Sequence, residues 1–225
     1  MSLLHLVRHG QASAGTDNYD RLSEIGKEQS RILGQWWLSQ GFSPGAAYHG
    51  SLERQRDTAT HALQPLQLAG LVSPVQEHEG LNEYDHRLIE AHFASDAAGY
   101  APEAMSFDDY MGILSRWRSH TAGASPAAFE PWAAFKARGW SALQELTQHG
   151  SDTSEYVFFT SGGVIATILS TILDLGFEHT VDAIWRIRNT SITTIKLTGD
   201  VGRLVEFNTI PHLQEQRQAH FITLI

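Results

Sequence analysis

Leu3-Leu4-His5-Leu6-Val7 runs without interruption into Arg8-His9-Gly10, so an apolar strand delivers a guanidinium, an imidazole and a bare glycine backbone to one point. That set suits the handling of phosphate. An imidazole can act as nucleophile, a guanidinium grips two oxygens at once, and glycine lets a ligand approach the main chain. The tripeptide alone is equally a polar cluster at a strand end, and two later segments add to it. Arg54 and Arg56 fall in the first turn of a predicted helix, where the macrodipole disfavours cations by about 0.3 to 1 kcal/mol each. An anion bound at that helix N-terminus reverses the sign of the argument; neutralisation by Glu53 and Asp57 is the competing explanation. Arg54 is kept as a candidate and Arg56 is not. Gly162 and Gly163 follow an apolar strand pattern and offer backbone N–H donors to a ligand, or simply make a tight turn. Gln11 and Ser13, close to His9, are candidate donors to phosphate oxygens, although the polarity of a surface turn explains them nearly as well.

The elements that must position these residues alternate between strand and helix. Leu3 to Val7 has the unbroken apolar pattern of a strand covered on both faces in a parallel sheet. A polar turn from Gln11 to Arg21, broken by Gly15, Asp17 and Asn18, leads to Ser23, the expected N-cap of a helix. Ile25, Ile32, Leu33, Trp36 and Trp37 share a face of that helix, which ends at Gly41. Ala46 to His49 predicts a short strand, and Ser51 starts a helix that buries Leu52, Ala59, Leu63 and Leu66 before Gly70. A weak strand near Pro74 to Glu77 leads into Glu79-Gly80-Leu81-Asn82-Glu83. From about Tyr84 to His149 the pattern is helical, interrupted at Gly99, Pro102, Gly123 and Pro126, and reads as an inserted helical cap. Tyr156 to Thr160 predicts a buried strand followed by a helix from Val164 to Leu175. Ile192 to Leu197 and Leu204 to Asn208 are the last strands, with Gly199-Asp200 as their turn.

The expected fold is therefore α/β: a three-layer sandwich with a mainly parallel central sheet flanked by helices, plus a helical cap insertion at about 84–149, in a single domain over 1–225. In such sheets ligands gather at the carboxyl ends of strands. That rule collects His9, Ser51, Arg54, Glu83 and Ser161-Gly162 on one edge.

Composition narrows the partners. A formal net charge of −9 opposes binding to nucleic acid or an anionic membrane surface, so a phosphorylated ligand needs a local cluster of positive charge. No stretch approaches the roughly 20 apolar residues of a membrane helix, and no export signal is read at the start of the chain. Cysteine is absent, which removes thiol nucleophiles and thiolate metal sites and is compatible with a cytoplasmic location. Histidine is abundant at 12 residues, but no His-Glu-x-x-His pair appears, so neither a metal nor another cofactor is expected. Ser161 at a strand-to-helix turn invites comparison with a serine hydrolase, whose nucleophile turn requires glycine two residues earlier; here Phe159 stands there. The expected partner is a small phosphorylated substrate, and the oligomeric state is left open.

Six ordered motifs carry a resemblance. They are Arg8-His9-Gly10; Leu22-Ser23 with Gly26 and Gln29; Ser51-Leu52 with Arg54 and Thr58-Ala59; Leu81 with Glu83; Gly162-Gly163; and Asn189 with Ser191. Together they resemble the histidine phosphatase superfamily, the phosphoglycerate mutase-like proteins, from position 3 to about 209. The run Arg8-His9-Gly10-Gln11-Ala12-Ser13, followed by Tyr19-Asp20-Arg21-Leu22-Ser23, is more similar to a bacterial branch than to true mutases, which carry an acidic residue after the Arg-His-Gly. The resemblance implies that His9 is the nucleophile that becomes phosphorylated, and that Arg8 and Arg54 clamp the phosphoryl group. It also implies that Glu83 protonates the leaving alkoxide and then activates water. Glu79 is the rival carboxylate if the register differs. The implied activity is phosphomonoester hydrolysis.

One departure stands out. Where the family usually has a second histidine before the two glycines, this chain has Ser161. A neutral hydroxyl in place of a charged donor costs on the order of 1 to 2 kcal/mol, a tenfold to thirtyfold slowing. Ser161 is then a weaker phosphate ligand, with His86 and His92 as possible substitutes for the missing imidazole. A non-catalytic phospho-ligand-binding protein and, further off, a phosphomutase are the alternatives. The cap supplies Tyr100, Phe107, Tyr110 and Trp117 as candidate lining residues, or as packing residues between cap and sheet.

Overall fold

A computed structural model describes residues 1–13, 18–93, 105–120, 129–148, 155–215 and 219–224. Gly15 and Asp17 in the predicted turn, and Tyr100 and the breakers Gly99, Pro102, Gly123 and Pro126 in the insertion, lie outside the described residues. Six strands form one sheet: β1 (Ser2–Arg8), β2 (Ala46–His49), β3 (Gln76–Glu77), β4 (Glu155–Thr160), β5 (Ile192–Thr198) and β6 (Val201–Thr209), in the order β3-β2-β4-β1-β5-β6. The first four are parallel to one another, while β5 pairs antiparallel with β1 and with β6 at one side. The expected mainly parallel α/β sheet is what forms.

Alternation along β1 explains the layers. Leu4 and Leu6 enter one core cluster with Phe158, Ile165, Ile168 and the helices α5 (Trp132–Thr147) and α6 (Gly162–Leu173). Val7 enters the other, with Phe159, Trp37, Leu63 and the helices α1 (Glu24–Ser39) and α2 (Glu53–Leu68). Side chains of successive strand residues point to opposite faces, so a strand apolar throughout must be covered twice. Phe158 and Phe159 are both fully buried, one on each face, and each contributes about 1.5 to 3 kcal/mol by leaving water.

Ser23 caps α1 as expected, accepting a hydrogen bond from the Gly26 N–H. The start of α2 differs from the expectation. Its first residue is Glu53, its N-cap is Leu52 with no side-chain bond, and Ser51 is tied instead to Asn82, which donates to the Ser51 hydroxyl at 2.8 Å. The insertion contains α3 (His86–Phe93), α4 (Phe107–Ser119) and α5, and α5 packs against α6 through Gly139, which faces Val164 and Ile168. A further helix, α7 (Phe177–Arg186), precedes β5, and the short α8 (Pro211–Glu215) follows β6.

Two imidazoles are buried in this framework away from any carboxylate. His5 lies edge-on to Phe42 with its Nδ1 beside the Thr194 hydroxyl, and burial lowers its pKa to about 4. His212 meets the Thr190 hydroxyl at 3.0 Å, and burial lowers its pKa to about 3. Both are neutral in the folded chain, while the unfolded chain protonates them near 6.5. Their contribution is intact above 6.5 and is lost as pH falls toward 4, because the unfolded state gains protons that the folded state refuses. At pH 5 each costs about 2 kcal/mol. His9 and His86, lowered by burial and nearby arginines, add to the loss, so the expected Tm is at least about 10 °C lower at pH 5 than at pH 7, and a Tm unchanged across that range would show that these imidazoles take up protons in place.

Candidate active site

The turn that carries His9 is held on every side. His9 N–H donates to Thr160 O at 2.9 Å, continuing the β1–β4 ladder by one residue. Gly10 N–H donates to the Thr58 hydroxyl at 2.9 Å, and that hydroxyl donates to Arg54 O at 2.6 Å, so the turn is bolted to the first turns of α2. A Cβ on Gly10 would come within 2.5 Å of Gly26 O, which explains why glycine stands at both places where this turn meets α1.

The hydrogen bonds assign the state of the His9 ring. Nδ1 lies 2.8 Å from Gly10 O, an atom that only accepts, so Nδ1 carries the proton and Nε2 keeps its lone pair. Arg54 Nε–H donates to that lone pair at 3.1 Å. Burial, then the charges of Arg54 and Arg8, hold the His9 pKa well below the ordinary value. The imidazole is therefore unprotonated at neutral pH with its bare nitrogen facing a guanidinium.

Arg54 is buried, and its Nη1 donates to Asp20 Oδ1 at 2.6 Å while the guanidinium sits 5.6 Å from the centre of the Tyr19 ring. The other Asp20 oxygen accepts from the Glu53 N–H at 2.8 Å. One carboxylate thus caps α2 and neutralises the arginine that its macrodipole disfavours. The expected neutralisation by Asp57 holds for Arg56, at 3.2 Å, whereas Glu53 pairs with Arg21. Arg8 donates through Nη1 to Ile187 O, and its buried Nε finds no acceptor among the described residues.

Glu83 follows the short 3-10 turn Glu79–Leu81 and joins this group. Its Oε2 accepts from the Gly163 N–H at 2.8 Å, and its Oε1 accepts from the Tyr84 N–H at 3.2 Å. Burial raises its pKa, opposed by the Gly163 bond and by the charges of Arg54 and Arg8. A Cβ on Gly163 would lie 2.2 Å from Glu83 Oε1, whereas one on Gly162 would meet only ordinary contacts. The close approach expected of the two glycines is thus made at Gly163, and to a carboxylate. Glu79, the rival, is exposed on the surface.

A cavity of about 240 Å³ opens over Arg54 and Glu83, walled by Asn18, Tyr19, Asp20, Leu52, Tyr84, Asp85, His86 and Arg87. Neither Gln11 nor Ser13 is among its walls; the Gln11 side-chain oxygen accepts from the Ser23 hydroxyl at 2.8 Å, and Ser13 N–H donates to Arg21 O. Ser161 is fully buried, its hydroxyl accepting from Gln55 Nε2 at 2.8 Å, so it too is absent from the walls, as are His9 and Arg8, the former in contact with the wall residue Arg54. His86 does line the cavity, packed edge-on to Tyr19, and burial together with Arg54 lowers its pKa to about 4. His92 instead stacks with Phe93, His120 and Phe129. Of the cap aromatics, Phe107 and Tyr110 pack on Trp185, and Trp117 is buried between Tyr84, Trp132 and Phe135; packing accounts for all three. Asp20 and Gln55 escaped the sequence reading because nothing in their neighbourhoods marks a partner more than 30 residues away. Among the described residues no helix is long and apolar enough to cross a membrane, and no group of three His, Cys, Asp or Glu side chains could hold a metal ion.

The fold has clear parallels. A phosphoglycerate mutase from Bacillus anthracis superposes with a TM-score of 0.67 at 16% identity, covering 96% of each chain. A phosphoserine phosphatase from Entamoeba histolytica, solved with 3-phosphoglyceric acid, superposes at 0.64 with 20% identity, covering 95% of this chain and all of that one. A 2,3-bisphosphoglycerate-dependent phosphoglycerate mutase from Methylorubrum populi is 32% identical over 90 residues, 37% of this chain and 42% of that protein, so the chain matches about two fifths of that relative's length. The family model for histidine phosphatases matches residues 4–210, spanning β1 to the end of β6, and the chain belongs to the histidine phosphatase superfamily, branch 1.

Proposed function

We propose that the protein hydrolyses small phosphomonoesters through a phosphohistidine at His9. The observation that carries this reading is the prepared Nε2 lone pair: buried, unprotonated, and facing a guanidinium where an incoming phosphoryl group needs both nucleophile and counter-charge. Phosphate entering the cavity takes over Arg54 from Asp20 and His9, and Arg8 brings a second guanidinium with a free Nε. His9 Nε2 attacks phosphorus as the ester oxygen departs, taking a proton from Glu83, whose protonated form is favoured by burial. The resulting Glu83 carboxylate then removes a proton from water, which attacks the phosphohistidine and releases inorganic phosphate. Positioning and electrostatics supply most of the stabilisation in such transfers.

A pocket that only binds phosphate gains nothing from a desolvated imidazole or from a carboxyl whose pKa burial raises, and both carry a folding penalty. Their presence favours turnover over mere binding. The direct test is chemical: brief incubation with a labelled phosphomonoester should leave an acid-labile, alkali-stable phosphoryl group on the protein. Absence of such a label in a protein that turns over substrate would overturn the phosphohistidine route.

In place of the family's second histidine, His86 serves as the additional donor to the phosphoryl group or the departing oxygen. It is neutral in the empty cavity, so it offers a hydrogen bond without a full charge. Such a bond is worth about 0.5 to 1.5 kcal/mol, so His86→Ala should lower kcat/KM about threefold to tenfold. His92→Ala, on the exposed aromatic cluster, should leave it unchanged, and equal effects of the two changes would remove His86 from the site.

A further inference from the structure

Two amide side chains hold the two ends of the nucleophile turn. Asn189 Nδ2 donates to His9 O at 3.1 Å, and Gln29 Oε1 accepts from Gln11 N–H at 2.8 Å. Both amides are almost completely buried, and they come from elements on either side of the turn, α1 and the loop before β5. A third segment, which follows the short 3-10 turn Ala219–Phe221, joins them through a single hydroxyl. Thr223 Oγ1 accepts from Gln29 Nε2 at 2.9 Å and donates to Asn189 Oδ1 at 2.8 Å. Two bonds to its carbonyls seat the segment: Asn189 N–H donates to Thr223 O at 2.9 Å, and the Gln29 side chain donates through Nε2 to Phe221 O at 2.7 Å.

The relay has one consistent polarity. Reversing the Gln29 amide would set its NH₂ against the Gln11 N–H, and reversing the Asn189 amide would leave its oxygen against the carbonyl of His9. With both orientations set in this way, Thr223 donates to one amide and accepts from the other, and so ties the two together at one hydroxyl. A fully satisfied buried network of this kind specifies geometry more sharply than apolar packing does. The constraint reaches the ring, because His9 Nδ1 is oriented by the carbonyl of Gly10, which lies between the two anchored residues. Thr190, next to Asn189, adopts φ 54, a conformation rare for a β-branched residue, and its N–H donates to Arg8 O at 3.0 Å. The loop is thus bent to bring Asn189 and Thr190 onto the end of β1.

We propose that Thr223 is a positioning residue for the nucleophile, acting through Gln29 and Asn189 on the turn His9-Gly10-Gln11. Its kinetic consequence rests on the phosphohistidine reading above; its structural consequence does not. Thr223→Val keeps the shape and removes the hydroxyl, and Thr223→Ser keeps the hydroxyl. With p-nitrophenyl phosphate, Thr223→Val should lower kcat about tenfold, short of the hundredfold that a full ångström of misplacement can bring. KM should stay within twofold, because Arg8 and Arg54 are anchored through Ile187 O and Asp20 rather than through this relay. Thr223→Ser should restore kcat to within about twofold of the original. Amide hydrogen exchange supplies the readout that needs no catalysis: exchange at Gln11 should speed about tenfold in the Val variant and return in the Ser variant. Where Val proves too crowded to fold, Thr223→Ala carries the same exchange test. An original protein without phosphatase activity leaves the exchange result to decide the relay by itself. Wild-type protection at Gln11 in Thr223→Val or Thr223→Ala would overturn the proposal, as would a Val defect that Ser does not repair.

Discussion

His9→Ala is expected to lower phosphate release from p-nitrophenyl phosphate by at least about a thousandfold and to abolish the acid-labile phosphoryl label. The scaffold should survive the change. The backbone of residue 9 is held by Thr160 and Asn189 through main-chain atoms that alanine retains, and only the Nδ1 and Nε2 contacts disappear. Arg8 and Arg54 remain, so the variant should still bind inorganic phosphate competitively while failing to turn over ester. Retention of more than a tenth of the activity would show that water attacks the ester directly, and that His9 is at most a ligand. The pH profile adds a second constraint. With the His9 pKa held low, the nucleophile is already unprotonated across the neutral range, and the limb seen on raising pH belongs to the proton on Glu83. With an alkyl phosphate, whose departure needs that proton, activity should fall as pH rises, and no separate limb near 6.5 should come from the imidazole.

The local signals in the chain were those that act over a few residues. An apolar run ending in Arg8-His9-Gly10 announced β1 and its functional end, and Ser23 ahead of an amphipathic stretch announced the cap of α1. Arg54 was legible as a problem, a cation in a helix's first turn needing a counter-charge, but its solution was not. Asp20 lies 34 residues earlier in a turn whose polarity is ordinary, and only the fold brings its two oxygens to Arg54 and to the Glu53 N–H. Helix α7 was passed over although Phe177, Val181 and Ile184 repeat at helical spacing behind Gly176, a signal that periodicity could have found. The glycine pair was read as an approach for ligand because the sequence cannot say which neighbour will press on a missing Cβ. Ser161 was read as a phosphate ligand by its place in the motif order, yet Gln55, one residue beyond Arg54, takes up its hydroxyl from the neighbouring helix. The Thr223 relay had no local signature, since Thr223 lies 34 residues from Asn189 and 194 from Gln29 along the chain.

Glu83→Gln should separate the two chemical steps, because the carboxyl gives a proton in the first and takes one in the second. A p-nitrophenolate leaves without help, so the variant should form the phosphohistidine at near its original rate and then stall, giving a burst of p-nitrophenolate followed by turnover slowed about a hundredfold or more. An alkyl phosphate needs the proton in order to depart. With that substrate the first step slows by a similar factor, and no burst of alcohol should precede the slow phase. Gly163→Ala offers an independent route to the same carboxyl without altering its chemistry: the new Cβ would fall 2.2 Å from Oε1 and push Glu83 off the α6 N-terminus. It should reproduce the slowed steady state on both esters, whereas Gly162→Ala, which meets only ordinary contacts, should cost little. A burst with alkyl and aryl esters alike would confine Glu83 to the water-activating step. Full activity in both Glu83→Gln and Gly163→Ala would remove the carboxyl from the reaction, leaving His9, Arg8 and Arg54 to transfer the phosphoryl group without an acid.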